Sequence, residues 1–393
     1  MSLIDIERGN YIDFRVSQKA LSTDTQPSTI PRYNFARYNY GYRYSKSSSN
    51  LLLKPETLIE IKNDRTIYKR KAVDVASNFL YTGLRVWRNS GADWDGAMGV
   101  AFSPDGKYLA VASASADAVE VMSAADGTRI WRKSGADWDG AYDVAFSPDG
   151  KYLAVVSASA DAVEVMNAVD GSRVWRKSGT DWYNVHGVAF SPDGKYIAVA
   201  VCGVSSLSYV NGVELMSAKD GTRIWKKLDG DWSGANSVAF SPDGKYIAVV
   251  SCRANAVEVM SAADGTRIWR KSGADWDTAY DVDFSPDGKY IAVVSYGANA
   301  VEVMNASDGT RIWRKSGPDW SYAHGVTFSP DGKYLAVASY GADAIEVMLA
   351  KDGTRVWRKS GADWDGVHCV AFSPDGKYLA VTSRFAQAVE VMY

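Results

Sequence analysis

The chain of 393 residues is short of the residue types that most often carry chemistry: it has three cysteines and three histidines. So few thiols give no sign of an oxidising compartment. There is no nucleophile elbow, no phosphate loop and no spaced set of metal ligands, so no catalytic residue, cofactor or metal is expected. Asp137 to Gly140 (DWDG) is too short and too variable between copies to be a calcium loop. No apolar run approaches the ~18 residues of a membrane span, and the polar start MSLIDIERGN lacks an apolar signal core. The expected location is the cytoplasm, or a particle or filament assembled without such a signal. Strong charge is missing too, the net being −2. Residues 1–80 carry 13 Lys/Arg against 8 Asp/Glu, and the remainder 31 against 38. Neither balance suggests nucleic-acid binding, and the basic amino-terminal part favours an acidic partner.

What the chain does have is repetition. FSPDGKY recurs at Phe102, Phe146, Phe190, Phe240, Phe284, Phe328 and Phe372, at spacings of 44, 44, 50, 44, 44 and 44 residues. A period in the forties with four short apolar runs predicts a β-propeller of four-stranded blades. In the second copy, Tyr142 to Phe146 reads as the innermost strand. Ser147-Pro148-Asp149-Gly150 is a tight turn, with Pro presetting φ and Gly taking positive φ. KYLAVVS from Lys151, AVEVM from Ala162 and SRVWRK from Ser172 supply the second, third and outermost strands. Their β-branched runs suit strands covered on both faces.

The chain ends on a third strand, Ala388 to Tyr393, with no fourth after it. The missing one matches Leu84 to Arg88, since LRVWR parallels TRIWR from Thr128. An all-β, seven-bladed propeller over 84–393, its last blade completed by 84–89, therefore leaves no open sheet edge. An eighth blade built on Leu58 to Ile61 and Lys71 to Ser77 would leave the last blade short of a strand, so seven is the expected count. Cys202 and Cys252 occupy one slot of adjacent blades. Sheets packed about 10 Å apart are expected to keep these thiols too distant for a disulfide.

All fourteen tryptophans lie in the repeats, two per period. Trp87 and its counterparts sit on outer strands. Trp94, Trp138, Trp182, Trp232, Trp276, Trp320 and Trp364 occupy the connecting loops, either as plugs over the sheets or as shallow platforms for stacking glycans. Strand-three glutamates, Glu120 and its equivalents, face a ladder of strand-four arginines, Arg129 and its equivalents, and read as structural ion pairs.

The string VAFSPDGKYLAVAS from Val100, followed by AVEVM from Ala118, resembles the WD repeats and the YVTN-type repeats of the lactonase-like propellers, over about four fifths of the chain. The Trp-Asp pair of the WD family is replaced by Met-Ser or Met-Asn, as at Met122-Ser123, and its Gly-His loop by Asp-Trp, as at Asp137-Trp138. The His–Asp network of WD repeats is therefore not carried over. The resemblance implies a fold and a habit of binding partners rather than one chemistry.

Near-identical copies serve as internal controls. SPDG never varies, whereas the slot before the inner strand reads Met98, Tyr142, His186, Asn236, Tyr280, His324 and His368. The loops between strands two and three vary as well, with Arg253, Tyr296, Tyr340, Arg384 and Phe385. The third copy carries six extra residues there. This variable rim is read as a binding face at the channel mouth, although surface loops also tolerate substitution without selection. The histidines are read as rim residues, because His186 belongs to a blade across the ring from His324 and His368.

Residues 1–83 form an arm of different composition. Tyr33, Arg37, Tyr38, Tyr40, Tyr42, Arg43 and Tyr44 are candidate docking residues, and TLIEIKNDRTIY from Thr57 reads as a hairpin. The function expected from these features is a non-enzymatic binding or assembly module, held by its arm on a larger structure. Its partners would be a protein or assembly at the arm and a protein or glycan at the rim, with no membrane span. A surface adhesive or lectin-like component of a virus particle or filament, and a lactonase-like hydrolase, are the alternatives.

Overall fold

Seven four-stranded antiparallel sheets make up the carboxy-terminal four fifths of the chain in a computed structural model. It describes residues 83–203, 211–228 and 233–393, together with four short strands nearer the amino terminus. The described residues fall into two compact units, Met1–Leu80 and Tyr81–Tyr393. In the first, Ser2–Ile4 pairs with Tyr40–Tyr42, and a hairpin joins Leu58–Ile61 to Ile67–Arg70. Lys71 to Ser77, the proposed remnant of an eighth blade, lie outside the described residues.

In the second unit each blade runs from an inner strand at the channel to an outer strand at the rim. Blade 2 is Ala141–Phe146, Tyr152–Ser157, Ala162–Asn167 and Arg173–Ser178. Its second and third strands are buried along nearly their whole length, and its outer strand is largely exposed. That gradient is why VVS and VEVM carry β-branched residues on both faces while RVWRK alternates with charge. The SPDG turn closes identically in all seven blades. In blade 2, Ser147 Oγ donates to Asp149 at 2.7 Å, Tyr152 N–H donates back to Ser147 Oγ at 2.9 Å, and Gly150 takes φ 71°.

Blades are joined by the outer tryptophans. Trp131 Nε1 donates to the carbonyl of Ala168 in the next blade at 2.9 Å, and Trp87, Trp175, Trp225, Trp269 and Trp313 repeat this. The strand-three glutamates are almost fully buried, and each draws an arginine inward: Arg223 Nε lies 2.8 Å from Glu214, while its Nη2 lies 2.8 Å from Asp181 of the preceding Asp-Trp loop. That aspartate is a partner the cross-strand reading did not include.

The ring closes as the strand count requires. Arg85–Ser90 pairs antiparallel with Ala388–Met392, Met392 lying opposite Arg85 and Ala388 opposite Ser90. Tyr393 N–H donates to Leu84 O at 2.9 Å, and Arg85 Nε reaches Glu390 at 2.7 Å.

Candidate functional site

The variable slot coincides with a break in strand pairing. In blade 2 the ladder jumps between Ala141 and Asp143, leaving Tyr142 as the unpaired residue, and the same jump isolates His186, Asn236, Tyr280, His324 and His368. A β-bulge turns its extra side chain away from the alternation of the strand. Seven such bulges around one axis aim seven side chains at one another. The slot residues therefore meet inside the channel instead of standing apart on an open rim.

Tyr142 and Tyr280, three blades apart, share a hydroxyl–hydroxyl hydrogen bond. Tyr142 stacks on His186 at 4.2 Å, Tyr280 lies 3.7 Å from His324 between ring centroids, and His324 lies 4.3 Å from His368. Asn236 holds the remaining sector: its Oδ1 lies 2.7 Å from His186 Nδ1, and its Nδ2 donates to Tyr280 O at 2.8 Å. Met98, Asn236, His324 and His368 are buried. Burial holds all three histidines below the usual imidazole range, His368 at about 3, with Arg384 next to burial as the cause there. They are neutral at pH 7.

The next position inward carries residues that the sequence reading passed over. Asp143 and Asp281 follow the two tyrosines, and Gly99, Gly187 and Gly325 stand at that position in other blades. The inner edge of an inner strand has no neighbour, so its N–H groups need other acceptors. Asp143 accepts from Val188 N–H of blade 3 at 3.1 Å, and Asp281 from Val326 N–H of blade 6 at 2.9 Å. Asp281 also accepts from Ser237 Oγ of blade 4, and Asp283 from Phe328 N–H of blade 6. Carboxylates thus bridge blades 2–3, 4–5 and 5–6. Burial pushes Asp143 and Asp283 up to about 7 and raises Asp281 as well. A cavity of ≈ 60 Å³ lies among the slot residues and this layer, and one of ≈ 420 Å³ lies farther along the channel beside Asp143, Asp281 and Asp283. No cluster of metal-ligand type exists among the described residues.

On blades 5 to 7, aromatic residues of the loops form a ledge of two pairs, Tyr296–Tyr322 and Tyr340–Phe385, joined through His324 of the plug. Tyr296 stacks on Tyr322 at 4.3 Å with rings 11° from parallel. Tyr340 lies 5.2 Å from His324 and 5.5 Å from Phe385, and the Arg384 guanidinium sits 5.6 Å from the Phe385 ring. Phe385 is 57 % exposed and Tyr322 42 %. Arg253, on blade 4, is exposed and makes no part of this chain of rings. Tyr322 is the ledge residue that sequence reasoning missed. It takes φ 52° at a position where four other blades have Gly96, Gly140, Gly234 and Gly366, all at positive φ. Asn184 and Thr278 share the position and its positive φ, so comparison of the copies would have marked Tyr322 only as its one aromatic residue.

The loop tryptophans are packed against the blades. Trp94, Trp182 and Trp364 are buried, and Trp138, Trp276 and Trp320 are partly so. A cation lies over the ring in five of these, such as Arg311 at 5.7 Å from Trp276. Burial and the overlying cations agree with the plug reading of these rings. Trp232 lies outside the described residues, as do Tyr33, Arg37, Tyr38, Arg43 and Tyr44. Tyr40 and Tyr42 occupy a strand of the first unit.

Fold and repeats together define a seven-bladed β-propeller of the WD/YVTN type. A family model described as "Outer membrane protein assembly factor BamB" matches residues 71–206 and 210–339, and one described as "WD domain, G-beta repeat" matches residues 353–384. The first covers more than half of the sequence, and the chain belongs to that family of propellers. No curated protein matches the chain. Among solved structures, a Kuenenia stuttgartiensis hydrazine synthase chain is similar with a TM-score of 0.64 at 22% identity, over 76% of this chain and 95% of that one. At that identity the likeness concerns the fold.

Proposed function

We propose that this propeller is a non-enzymatic binding module that takes a protein segment on the aromatic ledge of blades 5 to 7. The propeller fold is consistent with protein binding, and the family match agrees with it. The observation that carries the finer reading is Tyr322. A non-glycine residue in the left-handed region costs roughly 1–2 kcal/mol. Asn184 and Thr278 take the same φ in blades 3 and 5, but only Tyr322 uses the position to place an exposed ring face to face with Tyr296, on the same side as the exposed Phe385. Aromatic and arginine side chains grouped in this way are the residues that dominate protein contacts. At the slot the channel is closed by its own side chains, with only ≈ 60 Å³ left among them, which favours recognition at the mouth on that side. The amino-terminal residues, rich in Tyr and Arg, are proposed to dock the protein on a larger structure.

The test is selection of a random peptide library on the immobilised full chain, followed by affinity measurements on ledge variants. Binders should weaken more than tenfold on Phe385→Ala or Tyr340→Ala and remain unaffected by Trp138→Phe. Binders indifferent to both ledge substitutions would remove the proposal.

A further inference from the structure

Two blades alone carry cysteine in the loop that leaves the second strand, and they are neighbours. Cys202 ends Tyr196–Cys202 of blade 3, and Cys252 follows Tyr246–Ser251 of blade 4. The expectation that sheet spacing keeps these thiols apart is not met, because their Sγ atoms lie 3.9 Å from each other. The spacing of about 10 Å applies between sheet planes in the middle of a blade. At the channel end the wedge-shaped blades converge, and side chains of the loops can touch. The backbone of each cysteine is also held in place. Cys202 N–H donates to Asn184 O, and Cys252 N–H to Gly234 O at 2.8 Å. Gly234 itself has no room for a side chain, since a Cβ there would fall 2.7 Å from Cys252 Sγ.

We propose that Cys202 and Cys252 form a dithiol site that a peroxide converts to an inter-blade disulfide. Cys252 is the attacking thiol. It is partly exposed whereas Cys202 is buried, and the exposed Arg253 follows it in sequence. The hydrogen bond from Cys202 lowers its pKa, and the Arg253 charge adds to this, while the Cys202 thiol is pushed up by the same contact and by burial. Thiolate character of this kind is what makes one cysteine of a pair reactive. The Cys252 thiolate attacks one peroxide oxygen, the O–O bond breaks, and the sulfur becomes a sulfenic acid as hydroxide (or alkoxide) leaves. Cys202 then attacks that sulfur, its thiol proton goes to the departing oxygen, and water leaves as the S–S bond forms. The peroxide is reduced by two electrons and the two thiols are oxidised by two. Closing the sulfurs from 3.9 Å to ~2.05 Å is within the reach of side-chain rotation and small loop movements. The third cysteine, Cys369, lies on the inner strand of blade 7, and burial raises its pKa beyond the reactive range.

The experiment is a titration of the full chain with hydrogen peroxide, then alkylation, tryptic digestion without reductant and mass spectrometry. The expected product is a linked pair of peptides spanning 196–219 and 246–253, two hydrogens lighter than the sum, with Cys369 still alkylated after unfolding. The melting temperature should rise by several degrees on oxidation and fall back on reduction. In Cys202→Ser, which keeps the size of the side chain, Cys252 should accumulate as a sulfenic acid trapped by a cyclic diketone probe. Both thiols remaining alkylatable after oxidant in large excess would overturn the proposal. So would Cys252 passing on to sulfinic acid in the unaltered chain while Cys202 stays reduced. Absence of the probe adduct in Cys202→Ser would overturn the assignment of Cys252 as the attacking thiol.

Discussion

Replacing Trp87 with alanine tests whether the ring is held shut by a strand from the other end of the sequence. The Trp87 indole packs on Gly127, where an added Cβ would fall 2.7 Å from the ring, and its Nε1 donates to Ala124 O at 2.8 Å. Its ring joins the cluster of Val389, Val391 and Leu109, which spans the last blade and the first. Truncating a core tryptophan costs about 3–5 kcal/mol; Trp87 is half-buried, so the lower end, about 3 kcal/mol, is expected, and Trp87→Phe, which loses chiefly the hydrogen bond, should lose about 0.5–1.5 kcal/mol. Trp313→Ala removes the same contacts between blades 5 and 6, in a strand continuous with its neighbours on both sides. Global unfolding in urea should therefore show similar losses for Trp87→Ala and Trp313→Ala. Amide exchange should separate them. Arg85–Ser90 leads out of the ring at its amino-terminal end, so Trp87→Ala lets it detach locally. Exchange in Ala388–Met392, its ladder partner, should then quicken on the order of 10²–10³-fold. The matching strand Ala300–Asn305 should stay protected in Trp313→Ala up to global unfolding. Equal exchange in Ala388–Met392 for the unaltered chain and Trp87→Ala would refute the closure argument.

The channel groups predict two opposed pH dependences. Asp143 and Asp283, pushed up to about 7 by burial, contribute stability that is complete below the unfolded value of about 3.9 and is lost as pH rises through about 7. Both keep some surface on the channel space, which discounts the effect. The Asp143→Asn/Asp283→Asn protein should then gain about 1–3 kcal/mol on the unaltered chain between pH 5 and pH 8, measured by urea unfolding. His368, pushed down to about 3, has the reverse sign: its contribution is complete above about 6.5 and is lost as pH falls toward 3, so His368→Asn should gain on the unaltered chain over that fall. Gly187→Ala would place a Cβ 2.9 Å from Asn236 O and 3.0 Å from Ser237 Cα, forcing blades 3 and 4 apart, and should cost about 1–3 kcal/mol in the same assay. Tyr322→Gly should leave the stability of the propeller within about 1 kcal/mol, relief of φ offsetting the lost stacking, and yet weaken ledge binders.

Blade number, strand order and the closing strand were legible because each depends on period and composition, which near-identical copies state seven times. The plug was half legible. The variable slot was found, but strict alternation along AYDVAF cannot show a bulge at Tyr142, and without the bulge that side chain belongs to a rim. Asp143 and Asp281 were passed over for a related reason: a carboxylate in an apolar strand reads as exposed until an unpaired N–H of the next blade is found facing it. The Cys202–Cys252 contact was misjudged because one sheet spacing was applied to a wedge, whose two ends differ in width. Tyr322 was overlooked although glycine in four copies marked the position, since backbone conformation has to be inferred there from what other blades have.

The frame and the channel obey different rules. Framework contacts recur from blade to blade, apart from Trp357, whose Nε1 is buried without a hydrogen-bond partner, so a substitution in one copy loses a contact that its neighbours still make. The channel contacts have no such redundancy. Tyr142 finds its hydroxyl partner three blades away, and His186 finds its acceptor one blade on at Asn236. A residue that suits blade 2 at the slot would not serve blade 3, because each sees a different ring across the axis. Seven copies of one sequence would crowd seven identical side chains about that axis, with like charges or like hydroxyls opposed. Divergence at the slot and at the position after it is therefore what filling the channel demands, and needs no ligand to explain it. The same reasoning does not reach Tyr322 and Phe385, which make no ring contact with the slot residues. Their exposure is the part of the variation that packing leaves over, and it is there that a partner should be sought.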